Sequence, residues 1–324
     1  MTVKMTRKQL VERWGGACDP ELLLAPSPFG FVDGREDFRG FHWEGTFSEH
    51  GLSSDEFLPP GQVLDNIDFS YANINPFIAR ELTMRHCYAK QATFTSPEWA
   101  HGTISDCEFE RCKFASGFAM PLIVATVTDC VFRSCTFPEL FAYGTRYDRC
   151  QALNMRLTGP KGGNDRYPLI TNTTVTGKWK EFTVEETIDG TQLSGCDFSE
   201  VEFGICTFEY LDMNKVKIPD DIKQFTVTNW ETICDDIRTQ LQNLHDASSL
   251  GEEPYKQTSF ALHMLQDDLR GYHEQVSRPR GARYCVELTF ATRRGHKHDY
   301  LLDLYRDAGA TFMLDPTPQP QEKQ

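Results

Sequence analysis

The chain has no apolar stretch near the ~18 residues that a membrane span requires. Its opening, MTVKMTRKQLVERWGG, lacks the unbroken apolar core of a secretion signal. Those absences set aside a membrane helix and an export leader, and the expected location is cytoplasmic. Basic residues are in deficit, 33 Lys and Arg against 47 Asp and Glu, for a net charge of −14. Non-specific binding to nucleic acid or to an anionic membrane is therefore disfavoured, and steering toward basic partners is permitted. CxxC pairs of the zinc-knuckle kind are missing. So are GxxxxGK[ST], GxSxG, HExxH and glycine-rich nucleotide fingerprints. Nothing in the sequence supports an enzyme, a cofactor or a metal site. Eleven cysteines would suggest a disulfide framework in a secreted chain. The odd number and the missing leader argue instead for reduced thiols.

What the chain does have is a core and a repeat. Its 40% hydrophobic and 12% aromatic content argues against disorder, and 324 residues allow one large domain or two smaller ones. The repeat has a period of five. From Ile67 one series runs through Ala72, Leu82, Cys87, Cys107 and Cys112 to Leu122. A second, two residues later, runs through Phe69, Ile74, Met84, Phe94, Phe109 and Phe114 to Val124. The phase then slips by three, and a second block occupies 125–157, from Ala125 and Val127 to Met155 and Leu157. A third resumes at Thr191 and Leu193 and ends at Val216 and Ile218.

Five fits neither the 3.6-residue turn of a helix nor the alternation of a flat strand. Within each unit, though, the two apolar positions are two apart, and residues two apart on extended backbone share a face. Each unit is thus a short extended segment with two side chains inward, followed by a turn. Eight of the eleven cysteines fall on the first inward position, where a small, apolar, commonly buried residue is needed. The CxxxxC spacings at 107/112 and 130/135 follow from the repeat.

The segments CEFERCKF (107–114), CVFRSCTF (130–137) and CDFSEVEFGICTF (196–208) resemble the pentapeptide-repeat family. The resemblance covers roughly 62–157 and 186–218. It implies a mainly β protein, a right-handed quadrilateral β-helix with four units per coil.

Around that solenoid the sequence predicts an N-terminal cap over 1–61, with weak pentad spacing between Phe38 and Trp43. A side insertion is expected at about 158–185, beginning TGPKGGNDRYP. Residues 219–315 read as an α+β domain. Helices are predicted over 229–245 and 257–273, the first with Trp230, Ile233, Ile237, Leu241 and Leu244 at helical spacing. Three strands of a meander follow at 284–292, 300–306 and 310–314. PTPQPQEKQ (316–324) reads as a disordered tail. His296 and His298, beside Lys297 and Asp299, read as a solvated turn.

Two functional readings follow. The first is a non-catalytic protein-binding scaffold that inhibits or neutralises a macromolecular partner, as a toxin-immunity protein does. The second, suggested by some relatives the repeat resembles, is a DNA mimic that binds gyrase or another topoisomerase. A mimic needs a sustained negative field. The net charge is only −1 over 62–157, against −5 over 186–218. The candidate partner-binding residues are therefore Asp197, Glu200, Glu202, Glu209 and Asp212. The expected partner is a protein, whether toxin, nuclease or topoisomerase, with no direct nucleic-acid or membrane contact. A homodimer is an assembly the sequence leaves open.

Overall fold

The computed structural model of the chain describes residues 5–44, 47–48, 51–52, 58–75, 78–95, 98–115, 125–137, 145–157, 169–185, 191–209, 211–250, 252–270, 281–285, 287–289 and 300–315. The chain divides into two compact units. One comprises Met1–Phe182 with Leu193–Ile205, the other Thr183–Gln192 with Cys206–Gln324.

The first unit is a β-solenoid, and its geometry follows from the period. Short strands begin every few residues: Val63–Asp65, Ile67–Asp68, Asn73–Asn75 and Ile78–Arg80. The next, Thr83–Arg85, lies parallel on Val63–Asp65, with Thr83 beside Val63. Four strands thus complete one circuit of four walls. One wall stacks six strands, from Val63–Asp65 through to Leu169–Thr171. Every residue of the two pentad series whose burial is described is buried except Thr191.

Through much of the first two blocks a corner residue takes a left-handed backbone just before the small inward position. Tyr71, Glu81, His86, Gln91 and Arg111 all have φ between 52° and 65°. Such a conformation costs roughly 1–2 kcal/mol for an L-residue. Bonds to the next circuit offset it, as where the Tyr71 amide donates to the Lys90 carbonyl at 2.8 Å and the Gln91 amide to that of Glu110 at 2.8 Å.

Register locates the interruptions. Thr83 pairs with Thr103, but Thr103 pairs with Thr126 and Arg146 with Leu169. The last two steps each exceed a four-unit circuit by three residues. The first surplus is the phase slip. The second falls within the expected side insertion at about 158–185: of that span Leu169–Thr171 and Thr174–Glu185 are strands of the wall, and 158–168 lies outside the described residues. Gly177 sits where the last pairing shifts register, at φ +110°. A Cβ there would fall 2.3 Å from the Met155 carbonyl oxygen.

The N-terminal segment is also more than a cap. Arg35–Asp37 pairs in parallel with Ile67–Asp68, and His42–Glu44 with Asn73–Asn75, so 35–44 already forms part of the stack. The helix Arg7–Glu12 closes over this turn. Gly40, at φ +75°, lies so near it that a Cβ would sit 2.4 Å from the Leu10 carbonyl oxygen.

The second unit has its own core, built on the predicted helices, here Trp230–Ala247 and Glu253–Arg270. The predicted meander is not there. Only Arg283–Tyr284 is extended within the described part of 284–292 and its flank, pairing antiparallel with Thr226–Val227; 287–289 is helical. Tyr300–Asp307 is a helix. Its buried residues Leu301, Leu304 and Tyr305 have the i, i+3, i+4 spacing of a helix stripe, which YLLDLYR disguises as a short apolar run. Of 310–314 only Phe312 bridges, to Val227. His296, His298, Lys297, Asp299 and the 316–324 tail lie outside the described residues.

The cysteines behave as the repeat predicts. Nine of the eleven are buried and all are free; Cys18 and Cys234 are half-buried. Burial pushes Cys196 up to about 12. A thiol reagent at mildly alkaline pH is expected to label Cys18 and Cys234 in the folded protein and all eleven after denaturation. Rapid labelling of Cys107 or Cys130 would show that the column is open to solvent.

Candidate functional site

The outward side chains of the solenoid walls pair from one circuit to the next. Arg85 and His86 both reach Asp65 at 2.9 Å. Lys90 holds Glu110 at 2.8 Å, Arg133 meets Glu108 at 3.2 Å, and Arg149 meets Asp129 at 2.6 Å. The His86 bond, ahead of that from Arg85, holds the Asp65 carboxyl below its ordinary range. The Lys90 bond does the same for Glu110, and the Arg149 bond for Asp129. These walls are close to neutral because acids and bases one rung apart compensate each other.

The five acids singled out from the sequence fall in both units. Asp197, Glu200 and Glu202 share the strand Asp197–Glu209 and belong to the first unit; Glu209 and Asp212 belong to the second. Asp197 accepts from the Ser199 amide at 3.1 Å and its hydroxyl at 2.6 Å. Glu202 pairs with Lys178 at 2.7 Å. Asp212 caps a turn, accepting from the amides of Asn214 at 3.1 Å and Ala282 at 3.2 Å. Glu200 is exposed. The side chain of Glu209 lies outside the described residues.

One buried acid is out of keeping with its surroundings. Asp68 is 7% exposed and faces Tyr88 across the sheet. Desolvation raises its carboxyl above the ordinary range, although the Ser70 amide donates to Oδ1 at 2.8 Å. An acid whose folded pKa is raised weakens the fold while it is ionised, and that loss disappears as pH falls through the raised value. Asp68→Asn keeps the acceptor for Ser70. It is expected to raise the Tm at pH 8, with the gain shrinking toward pH 4; a lower Tm at pH 8 would contradict this.

Sequence reasoning missed a group of exposed apolar side chains near the N-terminus. In ELLLAPSPFGFV (21–32) proline and glycine break any period, so no pattern announces which side chains face outward. Asp19 caps a short helix, Pro20–Leu24, through the Glu21 amide at 2.9 Å. That helix packs on the strand Val63–Asp65 through buried Leu23 and leaves Leu22 and Leu24 each 40% exposed. Beside it Val63 is 50% exposed, and Phe31 is 70% exposed. Six of the eight exposed large hydrophobics among the described residues lie between Val11 and Val63.

The segment is held firmly. Ser27 donates through its amide to Glu36 at 3.0 Å and through its hydroxyl to the Asp37 carbonyl at 2.6 Å. The Asp37 amide donates to the Gly30 carbonyl at 2.8 Å. Asp37 itself is buried and clamped by Arg13 at 2.7 Å and Arg39 at 2.9 Å. Desolvation opposes its ionisation, but the bonds from Arg13 and Arg39 outweigh it and hold the carboxyl far below the ordinary range.

Among the described residues no group of three or more His, Cys, Asp or Glu is placed to hold a metal ion. No described helix is long and apolar enough to cross a membrane. Compared with known proteins, the chain matches no protein-family model and no curated protein.

Proposed function

We propose that the chain is a non-catalytic protein-binding scaffold that inhibits or neutralises a macromolecular partner, in the manner of a toxin-immunity protein, and that its repeat belongs with the pentapeptide-repeat solenoids. The observation that carries this reading is a preformed, bonded surface: walls whose charges are compensated rung by rung, with exposed apolar side chains on the hydrogen-bonded segment 20–37. Such a surface loses little conformational freedom on binding. The same compensation weighs against the DNA-mimic alternative, which requires uncompensated acids at phosphate-like density along the rod.

The test has two arms. Micromolar protein should leave gyrase supercoiling and drug-induced cleavage unchanged. A partner recovered from the native host should lose activity in proportion to the complex formed. Gyrase inhibition would favour mimicry. Inactivation of many partner molecules by one molecule of this protein would make it an enzyme.

A further inference from the structure

We propose that the stacked cysteines of the first two blocks form a redox site, at which a small hydroperoxide joins thiols on adjacent circuits into disulfides that staple the solenoid from one circuit to the next. The inference is independent of what the solenoid binds.

Register brings the thiols together. Tyr88 pairs with Glu108, Glu108 with Val131 and Val131 with Gln151. The residues just before them, Cys87, Cys107, Cys130 and Cys150, therefore stand in line on successive circuits. Each thiol donates to the carbonyl two residues back: to Arg85 at 3.3 Å, Ser105 at 3.2 Å, Thr128 at 3.2 Å and Asp148 at 3.4 Å. The sulfur thus keeps the same place in every circuit. Lys113 pairs with Thr136, which sets Cys112 beside Cys135 in a second, shorter column. Neighbouring strands are about 4.8 Å apart, within the roughly 4.4–6.8 Å between Cα atoms that a disulfide spans. The longer column has defined ends. Ile67 stands beside Cys87, and Thr173 beside Cys150, whose amide donates to the Thr173 hydroxyl at 3.2 Å. The Asp197 amide donates to the Thr173 carbonyl at 2.9 Å, so Thr173 separates Cys196 from the column.

These thiols are buried, but each follows an exposed corner residue: His86, Asp106, Asp129 or Arg149. Hydrogen peroxide is close to water in size and enters through a local opening too small for a bulky thiol reagent. The thiols of Cys107 and Cys150 hold Cys130 below the ordinary thiol value, and Cys130 holds those two above it. The thiolate is the nucleophile, so Cys130 reacts first. Its sulfur takes one peroxide oxygen, the O–O bond breaks, and water leaves behind a sulfenic acid. The Cys107 or Cys150 sulfur then attacks, the S–OH bond breaks, and a second water leaves. Two thiols are oxidised to one disulfide, and one peroxide is reduced to two waters.

The test uses the full chain carrying Cys18→Ser and Cys234→Ser, which removes the two half-buried thiols. The folded protein is treated with hydrogen peroxide, quenched with catalase, alkylated in denaturant and mapped by peptide mass. Bridges are expected at Cys87–Cys107, Cys107–Cys130, Cys130–Cys150 and Cys112–Cys135, whose partners lie 20 or 23 residues apart. Each lowers the mass by two hydrogens, and dithiothreitol restores it. The Tm should rise by about 5 °C or more on oxidation and return on reduction. Oxidised in denaturant, the chain should instead favour Cys107–Cys112 and Cys130–Cys135, five residues apart, because short loops close most readily. Cys130→Ser should leave Cys150 unbridged and keep Cys112–Cys135; should that variant not fold, the map of the parent decides. Short-loop pairs in the folded protein would overturn the proposal. So would column thiols that stay reduced at doses that oxidise Cys18 and Cys234 in the unsubstituted chain, a bridged protein whose Tm does not rise, or a Cys150 that still bridges in Cys130→Ser.

Discussion

Phe109→Ala is expected to destabilise the first unit by about 3–5 kcal/mol, the range for removing a buried aromatic ring from a packed core. Phe109 is 1% exposed and stacks on Phe132, one circuit on, at 5.2 Å and 7° between ring planes. Phe114 meets it edge-on at 5.5 Å and Phe94 at 6.1 Å. The cavity would open between circuits whose backbones are tied on either side, so the walls cannot close on it. Against a total stability of roughly 5–15 kcal/mol, that loss is a large fraction. Phe109→Leu refills most of the volume and should cost clearly less. Urea unfolding of the two variants decides it. A loss below about 1 kcal/mol for Phe109→Ala would mean that the ring is not packed as described.

The interior that makes this prediction possible is legible in the sequence because it repeats. An error at one pentad is corrected by its neighbours, so the inward residues of all three blocks can be assigned even where the backbone ceases to be a chain of short strands. In the third block one strand runs Asp197–Glu209, yet Cys196, Phe198, Val201, Phe203, Cys206 and Phe208 are all buried as the phase requires.

Features that occur once have no such redundancy. Residues 35–44 join the stack with Glu36 beside Ile67, a step too long for a search at period five to detect. The five acids stand out only when charge is counted along the chain. Counting cannot see that Lys178 stands opposite Glu202, or that Asp212 is occupied with two backbone amides, because those partners arrive from other rungs and other segments. The exposed apolar side chains near the N-terminus escape for a related reason. Leu23 and Val32 are buried while Leu22, Leu24 and Phe31 are not, and only the folded path of an aperiodic segment distinguishes them.

The second large effect is expected where sequence and structure differ most. VELTF reads as a strand with Val286, Leu288 and Phe290 inward, which would put Glu287 in solvent. Glu287 is instead fully buried, 0% exposed, next to Arg283 at 7%. Arg283 donates to Glu287 Oε1 at 2.7 Å, the Tyr305 hydroxyl donates to the same oxygen, and the guanidinium lies 4.4 Å from the Trp230 ring centre. Among the described residues Glu287 Oε2 has no hydrogen-bond partner.

Among the described residues the carboxylate's cationic partner is Arg283. Arg283→Met would leave an uncompensated charge in an apolar core, at a cost of about 3–5 kcal/mol. Removing both charges removes the problem, so Arg283→Met with Glu287→Met should be more stable than Arg283→Met alone. That reversal separates charge from packing. If the arginine served only to fill space over Trp230, replacing Glu287 as well would add a second loss. Thermal melts followed by tryptophan fluorescence include the signal of Trp230, which stacks on Tyr305 with ring centres 6.1 Å apart. A double variant that melts below Arg283→Met would refute the charge argument and assign the cluster to packing.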